Sequence, residues 1–261
     1  MKKTIIAHLF LLCLTSVFLN QAFSENLEVT DPVPDGKNSY VIENSAYKLG
    51  YAGNYGVPVW SMYKYMAGMS AGTSTTKEEW KADSRVKGYR FSEKDVLNMG
   101  KNLVPVQLFP KEHGKSNAEN LADSFYTSNL LFMSKQLKEH VWDRITKFFE
   151  DLAKQHGSIY IISGPVFEKE ALKVRWISNN RMALPSHFYR IALYKEEGRT
   201  VCKCYKFLNR IPTDYERNCS LEEFSYNIYQ LESDVGIDFF SRETDANFRH
   251  EKMQYIDRKG K

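Results

Sequence analysis

This sequence is poor in cysteine, nearly balanced in charge and without a hydrophobic run long enough to span a membrane. Lysine and arginine total 36 against 32 for aspartate and glutamate, a formal net charge of +4 at pH 7. Strong non-specific nucleic-acid binding through bulk charge is therefore not indicated. With 43% hydrophobic and 26% charged residues, the chain is typical of a globular protein. A disordered tail, a collagen-like rod or a coiled coil is excluded as its main body.

The first 24 residues have the pattern of a secretory leader. Lys2 and Lys3 precede an apolar stretch over residues 5–19, and residues 22–24 (AFS) place small side chains at the −3 and −1 positions of a cleavage site. The apolar stretch is interrupted by His8 and is too short for a hydrocarbon core of about 30 Å. We therefore expect a signal peptide over 1–24, a secreted protein and no membrane anchor.

The rest of the chain indicates one α+β domain. Polar residues with two prolines over 25–38 predict an N-terminal arm, residues 39–242 a single folded domain, and residues 243–261 a polar C-terminal tail. Apolar residues at spacings of 3 and 4 predict a long helix over 134–155, and an apolar run over 158–163 predicts a buried strand. Hairpins and helices mixed along the chain favour α+β architecture.

Three further segments carry local predictions. Residues 187–193 and 200–207 flank a glycine-containing turn and predict a β-hairpin. Ser220 followed by Glu223 has the spacing of a capping box, which predicts a helix from Ser220 to near Gly236. The polar segment 110–123 is expected to be an irregular surface loop.

Cysteine usage predicts at most one intrachain disulfide. Removal of the leader leaves Cys202, Cys204 and Cys219, whose spacing does not fit zinc. Residues two apart on a strand point to the same face, so we expect Cys219 to bridge to Cys202 or Cys204, with one thiol left over. Closing this loop stabilises by about 3 kcal/mol in a chain-entropy treatment. Asn218 begins the only N-glycosylation sequon, so we expect a glycan on Asn218.

Seven short segments stand out, in order along the chain: 58–63 (PVWSMY), 103–105 (LVP), 124–129 (SFYTSN), Trp142 in the long helix, 161–167 (IISGPVF), 184–189 (LPSHFY) and 235–240 (VGIDFF). Together they resemble the DNA/RNA non-specific endonuclease family, and most closely the degenerate nuclease-like domain of ectonucleotide pyrophosphatase/phosphodiesterases. The resemblance implies a central mixed, largely antiparallel sheet flanked by helices, with a ββα-metal element. It also implies that residues 39–242 form a nuclease-like domain.

The resemblance also implies where a catalytic site should be. Active members carry Asp-Arg-Gly-His before the Leu-x-Pro, with the histidine as general base and an asparagine on the long helix holding Mg²⁺. Here residues 99–102 read MGKN. Asn102 therefore stands at the general-base position and Gly100 at that of the phosphate-clamping arginine, and a shift of one residue places Lys101 under the histidine instead. None of these side chains is a base.

The long helix departs from the family pattern as well. The metal-ligand position, four residues before Trp142, is Lys138, and an ammonium repels Mg²⁺. The acidic residue expected four residues after Trp142 is Thr146. We expect Lys138 to be paired with a carboxylate such as Glu139 or Asp143, or to be exposed to solvent.

Two functions follow from these departures. The first is a secreted, catalytically degenerate protein that acts by binding an unknown protein, nucleotide or glycan partner, with at most weak nucleic-acid binding and no cofactor. Lys101 and Lys138 are then the expected phosphate contacts. The alternative is a Mg²⁺-dependent endonuclease or phosphodiesterase with a rearranged site. His113 could reach the cleft as a base in that case, although an exposed loop histidine is the simpler expectation.

Overall fold

The computed structural model describes residues 34–36, 39–99, 102–179 and 181–241. The predicted leader (1–24), most of the predicted arm (25–38), Gly100, Lys101 and the predicted tail (243–261) lie outside the described residues.

The described residues form strands and helices that are mixed along the chain. The strands are β1 (Asp35–Gly36), β2 (Tyr40–Glu43), β3 (Lys48–Ala52), β4 (Val57–Met66), β5 (Leu103–Gln107), β6 (Leu130–Ser134), β7 (Ser158–Val166), β8 (Arg175–Ile177), β9 (Met182–Leu184), β10 (His187–Glu196), β11 (Arg199–Leu208) and β12 (Ile237–Asp238). The helices are α1 (Glu93–Leu97), α2 (Lys111–Gly114), α3 (Ala118–Asp123), the long helix α4, α5 (Asp214–Asn218) and α6 (Ile228–Val235). Helix α4 consists of an α-turn (Lys135–Leu137), a π-turn (Lys138–Trp142) and a regular helix (Asp143–His156).

A six-stranded sheet in the order β11-β10-β7-β4-β3-β2 forms the centre of the molecule. Each neighbouring pair in it is antiparallel. The pairs β5–β6, β8–β9 and β1–β12 form separate two-stranded units. This arrangement confirms the predicted α+β class with a largely antiparallel sheet, and the predicted hairpin is the β10–β11 pair.

Hydrophobic side chains cover both faces of the sheet. On one face, α4 packs Ile145 and Phe149 into a core that also contains Tyr205 and Phe207 of β11. On the other face, Leu231 of α6 belongs to a second core. Alternate residues of a strand therefore lie in different cores, as the pleat requires. Each large apolar side chain buried in this way stabilises the fold by about 1.5–3 kcal/mol.

The units β5, β6 and α4 follow one another directly in space. Strand β6 ends at Ser134, whose hydroxyl accepts a hydrogen bond from the Leu137 N–H at 3.1 Å and so caps the start of α4. Strand β5 pairs with β6 along its whole length, with Leu103 opposite Ser134. The result is a ββα unit that places the first turns of α4 beside β5.

Two local predictions were wrong. The segment 110–123 is not an irregular loop, because it contains α2 and α3, the latter capped by the Asn117 side chain. The helix expected from Ser220 is a 3₁₀ turn (Leu221–Phe224), and α6 begins only after Asn227. Between the 3₁₀ turn and α6 the chain is extended, because the Tyr226 N–H donates to the Cys204 carbonyl of β11 at 2.9 Å.

The expected disulfide is also corrected. Cys202, Cys204 and Cys219 are free thiols. Cys202 and Cys204 face the core under α6, whereas Cys219 packs against the core under α4, so the sheet lies between the intended partners. Burial raises the pKa of the Cys204 thiol well above its usual range, which makes it unreactive.

No helix in the described part of the chain is long and apolar enough to cross a lipid bilayer.

Candidate functional site

A cleft of about 270 Å³ lies on the ββα unit, between β5 and α4. Its walls include Gln107 of β5, Lys111 of α2, and Lys138, Trp142 and Thr146 of α4. We refer to it as the β5–α4 cleft. It contains the two α4 positions that the sequence singled out, Lys138 and Thr146.

Lys138 forms an ion pair inside the cleft. Its ammonium donates to both carboxylate oxygens of Asp143, at 2.9 Å and 2.8 Å. The expectation that a carboxylate pairs with Lys138 is confirmed, and the partner is Asp143. Glu139 instead lies 3.7 Å from Lys135 on the outer surface of the helix.

The second lysine of the cleft is paired in the same way. The Lys111 ammonium lies 2.6 Å from a carboxylate oxygen of Glu78. The cleft wall thus carries two lysines and three carboxylates, those of Glu78, Glu112 and Asp143, and each lysine is already in contact with one carboxylate. These pairs are partly exposed, and such pairs contribute about 0–1 kcal/mol to stability.

Thr146 connects the cleft to a buried arginine. Its hydroxyl donates to the Trp142 carbonyl at 3.0 Å and accepts a hydrogen bond from the Arg190 guanidinium. Arg190 extends from β10 towards α4 and is fully buried. It also donates to the Trp142 carbonyl at 3.1 Å and to the Ser163 hydroxyl at 3.3 Å. Thr146 thus lies between the cleft and the buried guanidinium of Arg190.

Arg190 has no carboxylate in hydrogen-bond contact among the described residues, and its Nη2 atom has no hydrogen-bond partner there. Burial lowers the pKa of the guanidinium to about 10. The rings of Trp142 and Phe149 lie 4.4 Å and 5.1 Å from it and supply cation–π contacts. Sequence analysis missed Arg190, although a single arginine inside the apolar strand β10 was a visible signal.

His113 is not the exposed loop histidine that the sequence suggested. It lies on α2 and is fully buried. Its Nδ1 is 3.0 Å from the Tyr63 hydroxyl and its Nε2 is 3.1 Å from a carboxylate oxygen of Glu150. Because the carboxylate can only accept, Nε2 carries the proton and donates, and the Tyr63 hydroxyl donates to Nδ1. Both ring nitrogens are used, so His113 has no free base to offer the cleft.

This buried pair predicts acid sensitivity. Burial lowers the pKa of His113, against the opposing effect of Glu150, and the hydrogen bond from His113 lowers the pKa of Glu150. Both groups bind protons more weakly in the folded chain than in the unfolded chain. Their contribution to stability is therefore complete above the ordinary values, 6.5 for His113 and 4.5 for Glu150, and is lost as the pH falls below them.

We expect the thermal unfolding midpoint to fall as the pH is lowered from about 7.5 to about 5.5, and His113→Gln to remove about half of that decrease. The measurement is circular-dichroism melting at both pH values. His140→Gln, on the partly exposed surface of α4, is the matched control and should retain the full decrease. An unchanged pH dependence in His113→Gln would show that this pair does not titrate in that range.

Asn102 lies in the turn immediately before β5 and is exposed. Strand β5 contributes Pro105, Val106 and Gln107 to the cleft wall. Among the described residues, no group of three or more His, Cys, Asp or Glu side chains is arranged to hold a metal ion.

A larger cavity of about 440 Å³ lies at the outer edge of β11. Its lining includes His187, Cys219 and Glu223, but none of the positions that the resemblance assigns to the catalytic site. The β5–α4 cleft is therefore the place where the sequence motifs and the structure agree.

The model of a family described as DNA/RNA non-specific endonuclease matches residues 25–246. The chain belongs to this family. The match extends over most of the chain, including the ββα unit and the β5–α4 cleft. The resemblance inferred from the seven short segments is confirmed at the level of the family.

Individual members of the family are more distant. The mitochondrial nuclease EXOG of Danio rerio is 23% identical over 140 residues, which are 50% of this chain and 40% of the relative. The mitochondrial endonuclease G of Homo sapiens is 25% identical over 124 residues, 45% of this chain and 41% of the relative. The matched region thus spans less than half the length of these relatives.

A solved structure gives the same fold. The crystal structure of a complex between EndoG and EndoGI, described as showing the mechanism of EndoG inhibition, superposes with a TM-score of 0.68 at 20% identity. It covers 77% of this chain and 86% of the matched chain. This similarity shows that the chain has the same fold as that nuclease.

The predicted localisation is corrected by these comparisons. Secretion was expected from residues 1–24, but the curated relatives that match this chain are mitochondrial nucleases by name. The glycan expected on Asn218 required the secretory route and loses its basis. Asn218 is exposed at the end of α5, where its side-chain amide donates to the Asp214 carbonyl at 2.8 Å.

Proposed function

We propose that this nuclease-fold protein binds phosphate-bearing ligands, nucleic acid or nucleotide, in the β5–α4 cleft without hydrolysing them. The observation that carries the proposal is the Lys138 ammonium, which stands inside the cleft at the position of the family's metal ligand. An ammonium there attracts a phosphate and repels the metal ion that hydrolysis would need. The half-buried ring of Trp80 in the same cleft offers a surface on which a base can stack.

The residues at the two α4 positions of the cleft do not fit Mg²⁺, which the family resemblance implies. Mg²⁺ prefers carboxylate, amide and water oxygens. Lys138 and Thr146 supply a cation and a hydroxyl, and both oxygens of Asp143 are engaged by Lys138. This mismatch supports binding over metal-dependent catalysis.

A histidine base is missing as well, and Asn102, which stands at its position, lies in the turn before β5 and outside the cleft wall. The exposed Asn102 is an amide and takes no proton near neutral pH. His113, the rival base, is buried with both ring nitrogens bonded. The in-line attack of water on a phosphodiester therefore lacks the histidine base that the family resemblance implies.

The replaced residues also bear on the position of the chain within the family. We propose that it is closest to the degenerate nuclease-like domain of ectonucleotide pyrophosphatase/phosphodiesterases, as the replacements at Asn102, Lys138 and Thr146 suggest. Residues 39–242 are then its nuclease-like domain. Lys101, next to Asn102 in the chain, is a second proposed phosphate contact.

The proposal predicts the effect of removing one charge. Lys138→Gln should weaken binding of a labelled single-stranded DNA of about 12 nucleotides by about 3- to 10-fold and reduce the salt slope of the affinity by about 1. Fluorescence anisotropy over a series of salt concentrations measures both. Lys135→Gln is the matched control, because Lys135 lies on the same helix, is 70% exposed and is outside the cleft wall.

Equal weakening in both lysine variants would mean that binding follows overall charge and not the cleft. No measurable binding by the wild-type protein at low salt would contradict the proposal outright.

A further inference from the structure

The ion pair in the β5–α4 cleft depends on an unusual turn of α4. Lys138 and Asp143 are five residues apart, and this spacing places two side chains about 140° apart around a regular α-helix. Here the π-turn Lys138–Trp142 intervenes, and the Asp143 N–H donates to the Lys138 carbonyl. The wider turn brings position 143 over position 138. The two-oxygen contact between Asp143 and Lys138 therefore exists because of the π-turn.

Thr146 of α4 and Arg190 of β10 hold this turn in place. The Trp142 carbonyl at its end accepts hydrogen bonds from Thr146 at 3.0 Å and from Arg190 at 3.1 Å. The Arg190 guanidinium also lies 4.4 Å from the Trp142 ring centroid. Since Arg190 is fully buried, the fold itself presents the Asp143 carboxylate to Lys138.

We propose that Asp143 is a built-in competitor for the ligand. Its carboxylate is hydrogen-bonded to the Lys138 ammonium, the group that a ligand phosphate would contact. This inference rests on the proposed function of the cleft. A carboxylate and a phosphate offer the same kind of acceptor oxygens to an ammonium. Ligand binding must displace Asp143, so the pair lowers affinity and selects against ligands that carry no more charge than a carboxylate.

The competition is reversible because the pair is partly exposed. The side chains of Lys138 and Asp143 are 38% and 45% exposed, and ion pairs of this kind are weak. A doubly charged phosphate, or several phosphates of one strand, can therefore replace Asp143 at Lys138. The ion pair between Asp143 and Lys138 therefore reduces ligand binding and does not abolish it.

Removing the Asp143 carboxylate should tighten ligand binding. Asp143→Asn keeps the size of the side chain and removes its charge, and we expect it to bind the same labelled single-stranded DNA about 2- to 5-fold more tightly than the wild-type protein. The asparagine variant should also show a steeper salt dependence, because Lys138 then releases a counterion on binding.

Asp151→Asn is the matched control for general charge effects. Asp151 lies on the same helix, is 46% exposed and pairs with Lys147 and Lys154, but it is outside the cleft wall. It removes the same charge at the same exposure. We expect its effect on affinity to be smaller than 1.5-fold, a value set by long-range screening at about 0.1 M salt.

The double variant Lys138→Gln/Asp143→Asn tests whether Asp143 acts through Lys138. If it does, Asp143→Asn has no effect on affinity once Lys138 is replaced, and the two effects are not additive. Additive effects, or equal tightening by Asp151→Asn, would overturn the inference. Circular-dichroism melting of each variant confirms that folded proteins are compared.

The outcomes also separate this inference from the proposed function. If the wild-type protein binds and Lys138→Gln weakens binding, but Asp143→Asn leaves it unchanged, only the competitor role is wrong. If neither the wild-type protein nor Asp143→Asn binds at about 50 mM salt, both are wrong. Tighter binding by Asp143→Asn that requires Lys138 supports both.

Discussion

Replacing Gly164 with alanine is expected to lower the free energy of unfolding by about 3 kcal/mol. Gly164 lies on β7 opposite Tyr189 of β10. The Tyr189 ring crosses over it so that its hydroxyl donates to the Val59 carbonyl on β4 at 2.8 Å. A Cβ at Gly164 would collide with both the Tyr189 hydroxyl and the Val59 carbonyl. Because Val59 contributes backbone, neither side can move aside without disturbing the central sheet.

Gly53→Ala is the control for this variant. A Cβ there would meet only the Lys87 carbonyl, at 3.4 Å, which is ordinary contact. Its effect on stability should lie within about 0.5 kcal/mol. Urea denaturation with unchanged m-values measures both variants. A loss below about 1 kcal/mol in Gly164→Ala would mean that Tyr189 does not cross β7 as described.

The second large effect concerns catalysis. The triple variant Asn102→His/Lys138→Asn/Thr146→Glu should gain Mg²⁺-dependent plasmid cleavage at least about 100-fold above the wild-type background. The histidine restores a base, the asparagine an oxygen ligand and the glutamate an acid. The glutamate also supplies a carboxylate to Arg190, whose Nη2 lacks a hydrogen-bond partner among the described residues.

The partial variants define the expected order of the rescue. Asn102→His alone should remain inactive, because Lys138 still repels the metal. The double variant with Lys138→Asn should be weakly active at most, because Thr146 offers no acid. Activity of Asn102→His equal to that of the triple variant would show that the α4 replacements are not what keeps the site inactive.

Periodic segments of the chain were predictable. The long helix and the strand after it were expected over 134–155 and 158–163 and are observed as α4 and β7. In each case the signal is local, since spacing of apolar residues decides which face is buried. Lys138 and Thr146 were found by resemblance, and the structure places both in the β5–α4 cleft.

The π-turn had no comparable signal. The spacing of Leu137, Val141, Trp142 and Ile145 is that of a regular α-helix. It therefore does not indicate that one turn contains an extra residue. The turn is stabilised by a hydrogen bond from Arg190, which lies on strand β10. The contact between Arg190 and the Trp142 carbonyl joins residues 48 positions apart, so residue spacing does not indicate it. For the same reason, the sequence offered both Glu139 and Asp143 as partners of Lys138.

The errors have the same physical origin. His113 lies in a polar segment, and its burial depends on Tyr63 and Glu150, 50 and 37 residues away. The cysteine bridge was argued from the strand face that Cys202 and Cys204 share, but the sheet separates that face from Cys219. Local patterns identify elements, whereas the pairing of side chains is decided by how the elements stack.

The most direct test of binding without hydrolysis is one experiment on the wild-type protein. Purified protein is incubated with supercoiled plasmid and with single-stranded RNA in Mg²⁺, Mn²⁺ or Ca²⁺, while binding of the same nucleic acids is measured at low salt. We predict no cleavage with any of the three ions, together with binding that Lys138→Gln weakens. Mg²⁺-dependent cleavage that disappears in Asn102→Ala would contradict the account.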